Sequence, residues 1–284
     1  MSGPPLPPPG DLAALLPPEV DPAAVGGALP AAATDPAVAG TGGVAATGAP
    51  AAGLRHPDAA GVWIGMVWGR LGRGDLAWAH LDRVHAGELQ PWIAAERGRL
   101  LRELGEHARA ESWEAPALAA AVDPVDRAML GISLAADAVG GGEVAVARAR
   151  LDTARSVLAA LGAEPRAERQ RLRAAWVAVE IAMLTGEVPP SGLLPSWTSA
   201  AEGGAARRLH VPAPYRSGTG FHRAKGCLFA GVVTGDLDLL DLALESAPVA
   251  LRWAVHAARA SLGAPDGEVA ARDARALVVP PPDG

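Results

Sequence analysis

The chain has 284 residues, of which 64 are alanine, 34 glycine and 26 proline, and only 11 are aromatic. Its formal net charge is −6, from 25 basic and 31 acidic residues. This composition favours helices, because alanine has the highest helix propensity whereas strands favour β-branched and aromatic residues. A net acidic chain is not a general nucleic-acid coat, so only a local basic patch could bind such a ligand.

The distribution of basic residues and cysteine predicts a cytoplasmic protein. No lysine or arginine precedes Arg55, so the basic region of a signal peptide is missing. Proline and glycine interrupt the apolar runs before they reach the roughly 18 residues of a membrane span. A single cysteine, Cys227, cannot form an intramolecular disulfide, and we expect it to be a small buried side chain. Lys225 is the only lysine, and this strong preference for arginine is typical of a GC-rich bacterial genome.

The N-terminal segment differs from the rest of the chain. Residues 1–54 hold 11 prolines and 9 glycines but no basic or aromatic residue. Such a segment buries too little apolar surface to offset the entropy lost on ordering. We therefore predict that residues 1–56 form a disordered Pro/Ala/Gly-rich tail.

Helical patterns separated by Gly or Pro begin at Pro57, and they repeat with a fixed period. The following pairs are each 33 residues apart: Gly65 and Gly98, Trp68 and Leu101, Leu71 and Leu104, Gly72 and Gly105, Ala77 and Ala110, Pro91 and Pro124. Within each unit, a mid-helix glycine allows close helix approach, a second glycine ends the first helix, and a proline opens the next unit. A fixed period of this length predicts repeated helical hairpins.

At these positions the chain resembles the tetratricopeptide repeat family, whose unit of about 34 residues has the same order of residue types. The resemblance is regular over residues 59–124 and degenerate beyond, where a third hairpin contains Ala135, Gly142 and Ala147. It implies an all-α fold in which antiparallel helical hairpins stack as a short α-solenoid, with the repeats in residues 57–186. The alternative is another kind of helical bundle.

The resemblance also implies that a protein or peptide partner binds in a concave groove lined by the first helix of each hairpin. The exposed residues expected in that groove are Arg70, Glu96, Arg99, Arg102 and Arg127.

Residues 187–220 fit no hairpin and predict a long basic loop with one short helix near residues 191–201. Loops of this length are uncommon in compact domains and are usually functional or disordered. Residues 221–284 again predict hairpins, with Gly235 as a turn glycine and Asp236 as an N-cap. The last two helices are expected at residues 249–262 and 267–277.

The most informative charge feature is the absence of acidic residues from Gly203 to Gly235. If its basic side chains converge, they would bind a phosphate, an acidic peptide or a nucleic-acid backbone. The other interpretation is that they pair with acidic helices or lie in solvent. The residues concerned are Arg207, Arg208, Arg216, Arg223 and Lys225.

These patterns predict a non-enzymatic module that binds a protein or peptide. The alternative is a regulatory module that binds a phosphorylated or nucleic-acid ligand through the basic segment at residues 207–225. A third hypothesis, an enzyme on an all-helical scaffold, would require titratable groups with perturbed pKa values in one pocket. Because the chain has no HExxH pair and no Walker or Rossmann spacing, we expect neither a metal nor a cofactor.

Overall fold

The computed structural model describes residues 59–189, 194–198, 208–210 and 220–282, so the predicted tail at 1–56 lies outside the described residues. The described part confirms an all-α protein. Its α-helices are α1 (Ala59–Arg70), α2 (Gly74–Leu81), α3 (Gln90–Glu103), α4 (His107–Ala120), α5 (Pro124–Gly140), α6 (Val144–Ala160), α7 (Pro165–Thr185), α8 (Gly220–Thr234), α9 (Leu237–Ser246), α10 (Val249–Ser261) and α11 (Gly267–Ala276). A short 3-10 turn, Gly87–Leu89, leads into α3.

Consecutive helices pack as hairpins: α1 with α2, α3 with α4, α5 with α6, α8 with α9, and α10 with α11. The longest helix, α7, packs on both α5 and α6. Within the described ranges, each helix is too short or too polar to cross a membrane.

The positions of the 33-residue period have the predicted structural roles. Gly72 and Gly105 have φ values of 79° and 82°, in the left-handed region that favours glycine, and each follows the first helix of a hairpin. Ala77 and Ala110 are fully buried, so the second helix lies close to the first. Pro124 stands in the first turn of α5, where a missing N–H breaks no helical hydrogen bond.

Aspartate side chains begin two of the helices. The predicted N-cap Asp236 accepts hydrogen bonds from the backbone N–H groups of Asp238 and Leu239, which confirms the assignment. Asp123 caps α5 in the same way, with its Oδ1 atom 2.8 Å from the Val125 nitrogen. Each cap satisfies N–H groups that have no partner inside the helix.

The inner helices form a closed circuit. Helix α1 packs on α3, α3 on α5, α5 on α7, α7 on α8, α8 on α10, and α10 returns to α1. The segment after α11 strengthens this closure, because the Val279 N–H donates to the Gly72 carbonyl at 2.6 Å and the Gly74 N–H donates to the Val279 carbonyl at 2.8 Å. The predicted stacking as a short solenoid is therefore not confirmed, since the first and last hairpins are in contact.

The expected short helix near residues 191–201 is not what the described part of that segment forms. Ser196–Thr198 is a short β-strand (β1) that pairs antiparallel with Arg208–His210 (β2). The sequence Ser-Trp-Thr contains aromatic and β-branched residues, which favour strands over helices.

Candidate functional site: a cationic cavity inside the helical circuit

The inner helices enclose a cavity of about 400 Å³. Its lining comes from α1, α3, α5, α7 and α8, with His107 from the start of α4. Among the described residues, six arginine and lysine side chains line it, against three acidic ones, although the whole chain is net acidic. The basic residues are Arg70, Arg99, Arg102, Arg169, Arg173 and Lys225, and the acidic residues are Glu96, Glu103 and Glu180.

Arg99 is neutralised by two carboxylates of its own helix. Its Nη2 atom lies 2.5 Å from Oε1 of Glu96, and its Nη1 atom donates to Glu103. Burial lowers the pKa of Arg99, but Glu103 and Glu96 outweigh that effect, and the net pKa lies above the ordinary value. Arg99 therefore carries a charge that is already balanced.

Arg102 joins α3 to α4 and α5. Its Nη1 atom lies 2.6 Å from Oδ1 of Asp137, and its Nη2 atom lies 3.1 Å from Oε1 of Glu114. Both carboxyl groups are almost fully buried. Burial is the main cause that raises the pKa of Glu114 to about 8, and the nearby Asp137 raises it further, whereas Arg102 lowers it.

Arg70 differs from Arg99 and Arg102 because it has no carboxylate partner in the described hydrogen bonds and ion pairs. Its residue is only 2% exposed, yet its Nε and Nη1 atoms have no hydrogen-bond partner among the described residues. The guanidinium carbon lies 4.8 Å from the centre of the Phe221 ring, a cation–π contact. Burial first, and then the charges of Arg169 and Arg99, lower its pKa to about 9.

Arg173 also has neutral partners. Its Nη2 atom donates to Oγ of Ser133 at 2.7 Å, and its Nη1 atom donates to Oε1 of Gln170 at 2.9 Å. Burial, followed by Arg169 and Arg102, lowers its pKa to about 9. Arg169 lowers the pKa of both Arg70 and Arg173, so its charge lies close to both guanidinium groups. Arg70 and Arg173, which lack a carboxylate partner in the described hydrogen bonds and ion pairs, line one cavity.

Aromatic side chains border this cationic region. The His222 ring stacks on Trp176, with 5.6 Å between the ring centres and 26° between the planes. Burial, then Arg169 and Arg70, lower the pKa of His222 to about 2, which keeps this imidazole neutral. Lys225 has its Nζ atom 5.0 Å from the Trp176 ring centre and 3.9 Å from Oε1 of Glu180.

The wall formed by α5 has a different character. The α5 side chains in the lining are all apolar: Met129, Ile132, Ala136 and Val139. Trp92 from α3 continues this apolar surface. The cations reach this wall, because Arg173 donates to Ser133 and Arg102 pairs with Asp137, both on α5. The cavity therefore combines cationic side chains with an adjoining apolar wall.

Four of the five residues predicted for the groove line this cavity: Arg70, Glu96, Arg99 and Arg102. Their predicted exposure is wrong for Arg70 and Glu96, which are only 2% and 4% exposed. The physical reason is the closed circuit, because helices that would border an open groove instead face one another. Arg127 is exposed on α5 and is not part of the lining.

The basic segment is only partly within the described residues. Lys225 lines the cavity, whereas Arg223 is exposed on the same helix. Arg207 and Arg216 lie outside the described residues, and Arg208 is described only as a backbone position in β2. Whether the five basic residues converge stays a prediction.

Sequence reasoning missed the α7 side of the cavity. Arg169 and Arg173 are four residues apart, and residues at this spacing lie on one helix face. Trp176 and Glu180 continue the same face. That pattern could have singled out α7, but only the packing of α7 on α5 and α8 identifies this face as an inner one.

No protein-family model matches the chain, and comparisons with curated proteins and with solved structures find no match. The resemblance to tetratricopeptide repeats therefore stays a prediction. Within the described ranges, no three His, Cys, Asp or Glu side chains are grouped so that they could hold a metal ion.

Proposed function

We propose that this chain is a non-enzymatic binding module whose central cavity takes the anionic group of a ligand. The observation that carries the proposal is Arg70, a guanidinium that is 2% exposed and has two nitrogen atoms without a partner among the described residues. Burying an unpaired charge is costly, and a protein retains such a group most readily where a ligand completes its pairing. Arg173, with neutral partners only, supplies a second cation nearby.

A protein or peptide remains our first expectation for what carries the anionic group. The four predicted groove residues that line the cavity support this link, since they lie on the first helices of two hairpins. Lys225 adds a residue from the predicted basic segment.

A second candidate, an enzyme on an all-helical scaffold, is favoured by the perturbed titratable groups in the cavity. Burial raises the pKa of Glu103 and lowers that of Lys225. However, Glu103 is paired with Arg99, and Lys225 lies next to Glu180. No side chain in the described lining carries a hydroxyl or thiol nucleophile. Binding therefore has the stronger support.

The proposal can be tested by titration calorimetry of the full chain at low ionic strength with 1-naphthoate and with the neutral 1-naphthamide. We expect the anion to bind and the amide to bind at least about tenfold more weakly, because charge-assisted hydrogen bonds are the strong ones. Arg70→Met is expected to lose the preference for the anion. Arg127→Met, which removes an exposed arginine outside the cavity, is the matched control and is expected to keep it.

Equal affinity for the two probes, or an equal loss in the two variants, would contradict the proposal. To test the enzymatic candidate, the same protein is incubated with 1-naphthyl phosphate and 1-naphthyl acetate. We expect no release of 1-naphthol above the rate of the Arg70→Met variant. Turnover that this variant abolishes would favour the enzyme.

A further inference from the structure

The cavity combines two features that no single simple anion would use, namely a cluster of cations and an adjoining apolar wall on α5. The cations include Arg70 and Arg173, neither of which has a carboxylate partner in the described hydrogen bonds and ion pairs. Arg169 lies close enough to lower the pKa of each. Arg99 and Arg102, by contrast, are already balanced by carboxylates.

The number of cations bears on the charge of the ligand. A carboxylate brings one negative charge and two oxygens, whereas a phosphate monoester brings close to two charges and three terminal oxygens. Arg70 has two nitrogen atoms without a partner among the described residues, and each Nη atom of Arg173 carries a second N–H besides the one that it donates to Gln170 or Ser133. Two cations with no carboxylate partner are therefore matched by a phosphate monoester and only half matched by a carboxylate.

The volume and the apolar wall bear on the rest of the ligand. A cavity of about 400 Å³ lies in the range of small-molecule sites, and it is far too small for a folded protein or a nucleic-acid duplex. Met129, Ile132 and Val139 present apolar side chains on the wall that α5 forms. An inorganic phosphate would leave this surface without a partner.

We propose that the ligand is a phosphate monoester with a compact apolar or aromatic body, whose phosphate lies between Arg70 and Arg173 and whose body packs on the α5 wall. This inference rests on the proposed function and narrows it to one ligand chemistry. A free small molecule and a phosphorylated aromatic side chain of a peptide share that chemistry.

The test compares three probes by titration calorimetry on the full chain: 1-naphthyl phosphate, 1-naphthoate and inorganic phosphate. We expect 1-naphthyl phosphate to bind at least about tenfold more tightly than either of the others. Only this probe has both a phosphate for the cations and an aromatic body for the apolar wall. A phosphotyrosine peptide and free phenyl phosphate then distinguish the two sources. Tighter binding of the peptide assigns the site to a peptide partner, and tighter binding of phenyl phosphate assigns it to a small molecule.

Two variants test the cations and the apolar wall independently. Arg173→Lys keeps the charge but loses the planar fork, and we expect it to weaken both phosphate probes while 1-naphthoate changes less. Val139→Thr has nearly the same shape and places a hydroxyl on the apolar wall. We expect it to weaken 1-naphthyl phosphate by about threefold and to leave inorganic phosphate unchanged.

The outcomes that overturn the inference differ from those that overturn the proposed function. If 1-naphthoate binds as tightly as 1-naphthyl phosphate and Arg70→Met weakens both, the cavity binds anions but the phosphate monoester assignment is wrong. If inorganic phosphate binds as tightly as 1-naphthyl phosphate, the apolar wall has no role. If none of the three probes binds, both the inference and the proposed function are wrong.

Discussion

At the scale of single residues, Arg70 is a buried cation with two nitrogen atoms that have no hydrogen-bond partner among the described residues. Replacing a buried ionic group by an apolar one of similar size is often neutral or stabilising. We expect Arg70→Met to raise the free energy of unfolding of the ligand-free chain by about 1 to 3 kcal/mol, even though it removes the anion preference. Urea unfolding monitored by circular dichroism measures this change.

The control for this prediction is Arg127→Met, which changes an exposed arginine. Exposed substitutions usually alter stability by less than about 0.5 kcal/mol. A destabilised Arg70→Met variant would mean that the guanidinium stabilises the ligand-free fold and is not reserved for a ligand.

Gly98 illustrates a second effect at this scale, the close approach of two helices. A Cβ atom added there would fall on the Glu114 carboxyl group, which Arg102 holds in place. We expect Gly98→Ala to lower the free energy of unfolding by about 1 to 3 kcal/mol despite the better helix propensity of alanine. Thermal unfolding of the purified variant measures the change.

Gly131→Ala is the matched control, because it also lies inside a helix. Its added Cβ would be 3.4 Å from the Cβ atom of Ala154, an ordinary contact. We expect this variant to gain up to about 1 kcal/mol from helix propensity. The same sign of change in both variants would contradict the close packing at Gly98.

At the scale of elements, the segment after α11 closes the circuit through Val279, which pairs with Gly72 and Gly74. We expect a chain truncated after Leu277 to show faster hydrogen exchange at the Gly74 amide, because that N–H loses its carbonyl partner. The control is the Glu106 amide, which follows the equivalent turn of the second hairpin and donates to the Leu101 carbonyl. Unchanged exchange at Gly74 would show that the pairing does not hold the first hairpin.

At the scale of the whole molecule, stability depends on pH through the carboxyl groups buried where α3, α4 and α5 meet. Glu114 shares Arg102 with Asp137, and its pKa in the folded state is about 8, above the ordinary 4.5. Between these two values the folded state binds more protons than the unfolded state, so the free energy of unfolding falls as the pH rises from about 4.5 to 8. We expect Glu114→Gln to remove on the order of 2 kcal/mol of this fall.

Urea midpoints at several pH values between 5 and 8 measure that slope. Glu111→Gln on the same helix changes a carboxylate that pairs with Arg150 at the surface, and we expect it to keep the wild-type slope. Parallel slopes in the wild type and Glu114→Gln would contradict a protonated Glu114 in the folded state.

The extent to which the sequence predicted the fold varies with the range of the interactions. The predicted helices at 249–262 and 267–277 end within one residue of α10 and α11, because helix boundaries depend on nearby caps and turn residues. The burial of Cys227 is likewise confirmed. The short helix near 191–201 was predicted wrongly, because Ser196–Thr198 pairs with a second strand, Arg208–His210, that follows later in the chain.

The candidate site shows the same difference between what local sequence predicts and what long-range packing decides. The resemblance to tetratricopeptide repeats singled out Arg70, Glu96, Arg99 and Arg102, which line the cavity, together with Arg127, which does not. Nothing local to α7 identified Arg169 and Arg173, because their role depends on which face of α7 turns inward. The sequence by itself thus determined most of the helices and the turn glycines, together with a few of the charged residues in the cavity lining.

Only the tertiary structure decided that the hairpins close into a circuit and that the residues expected in a groove line a central cavity. The contacts responsible join residues far apart in the chain, such as the Arg275 side chain and the Glu103 carbonyl, which are 172 positions apart and 2.8 Å from donor to acceptor. Local propensity and periodicity carry no information about such pairs, since these pairs form only when all the helices have packed together.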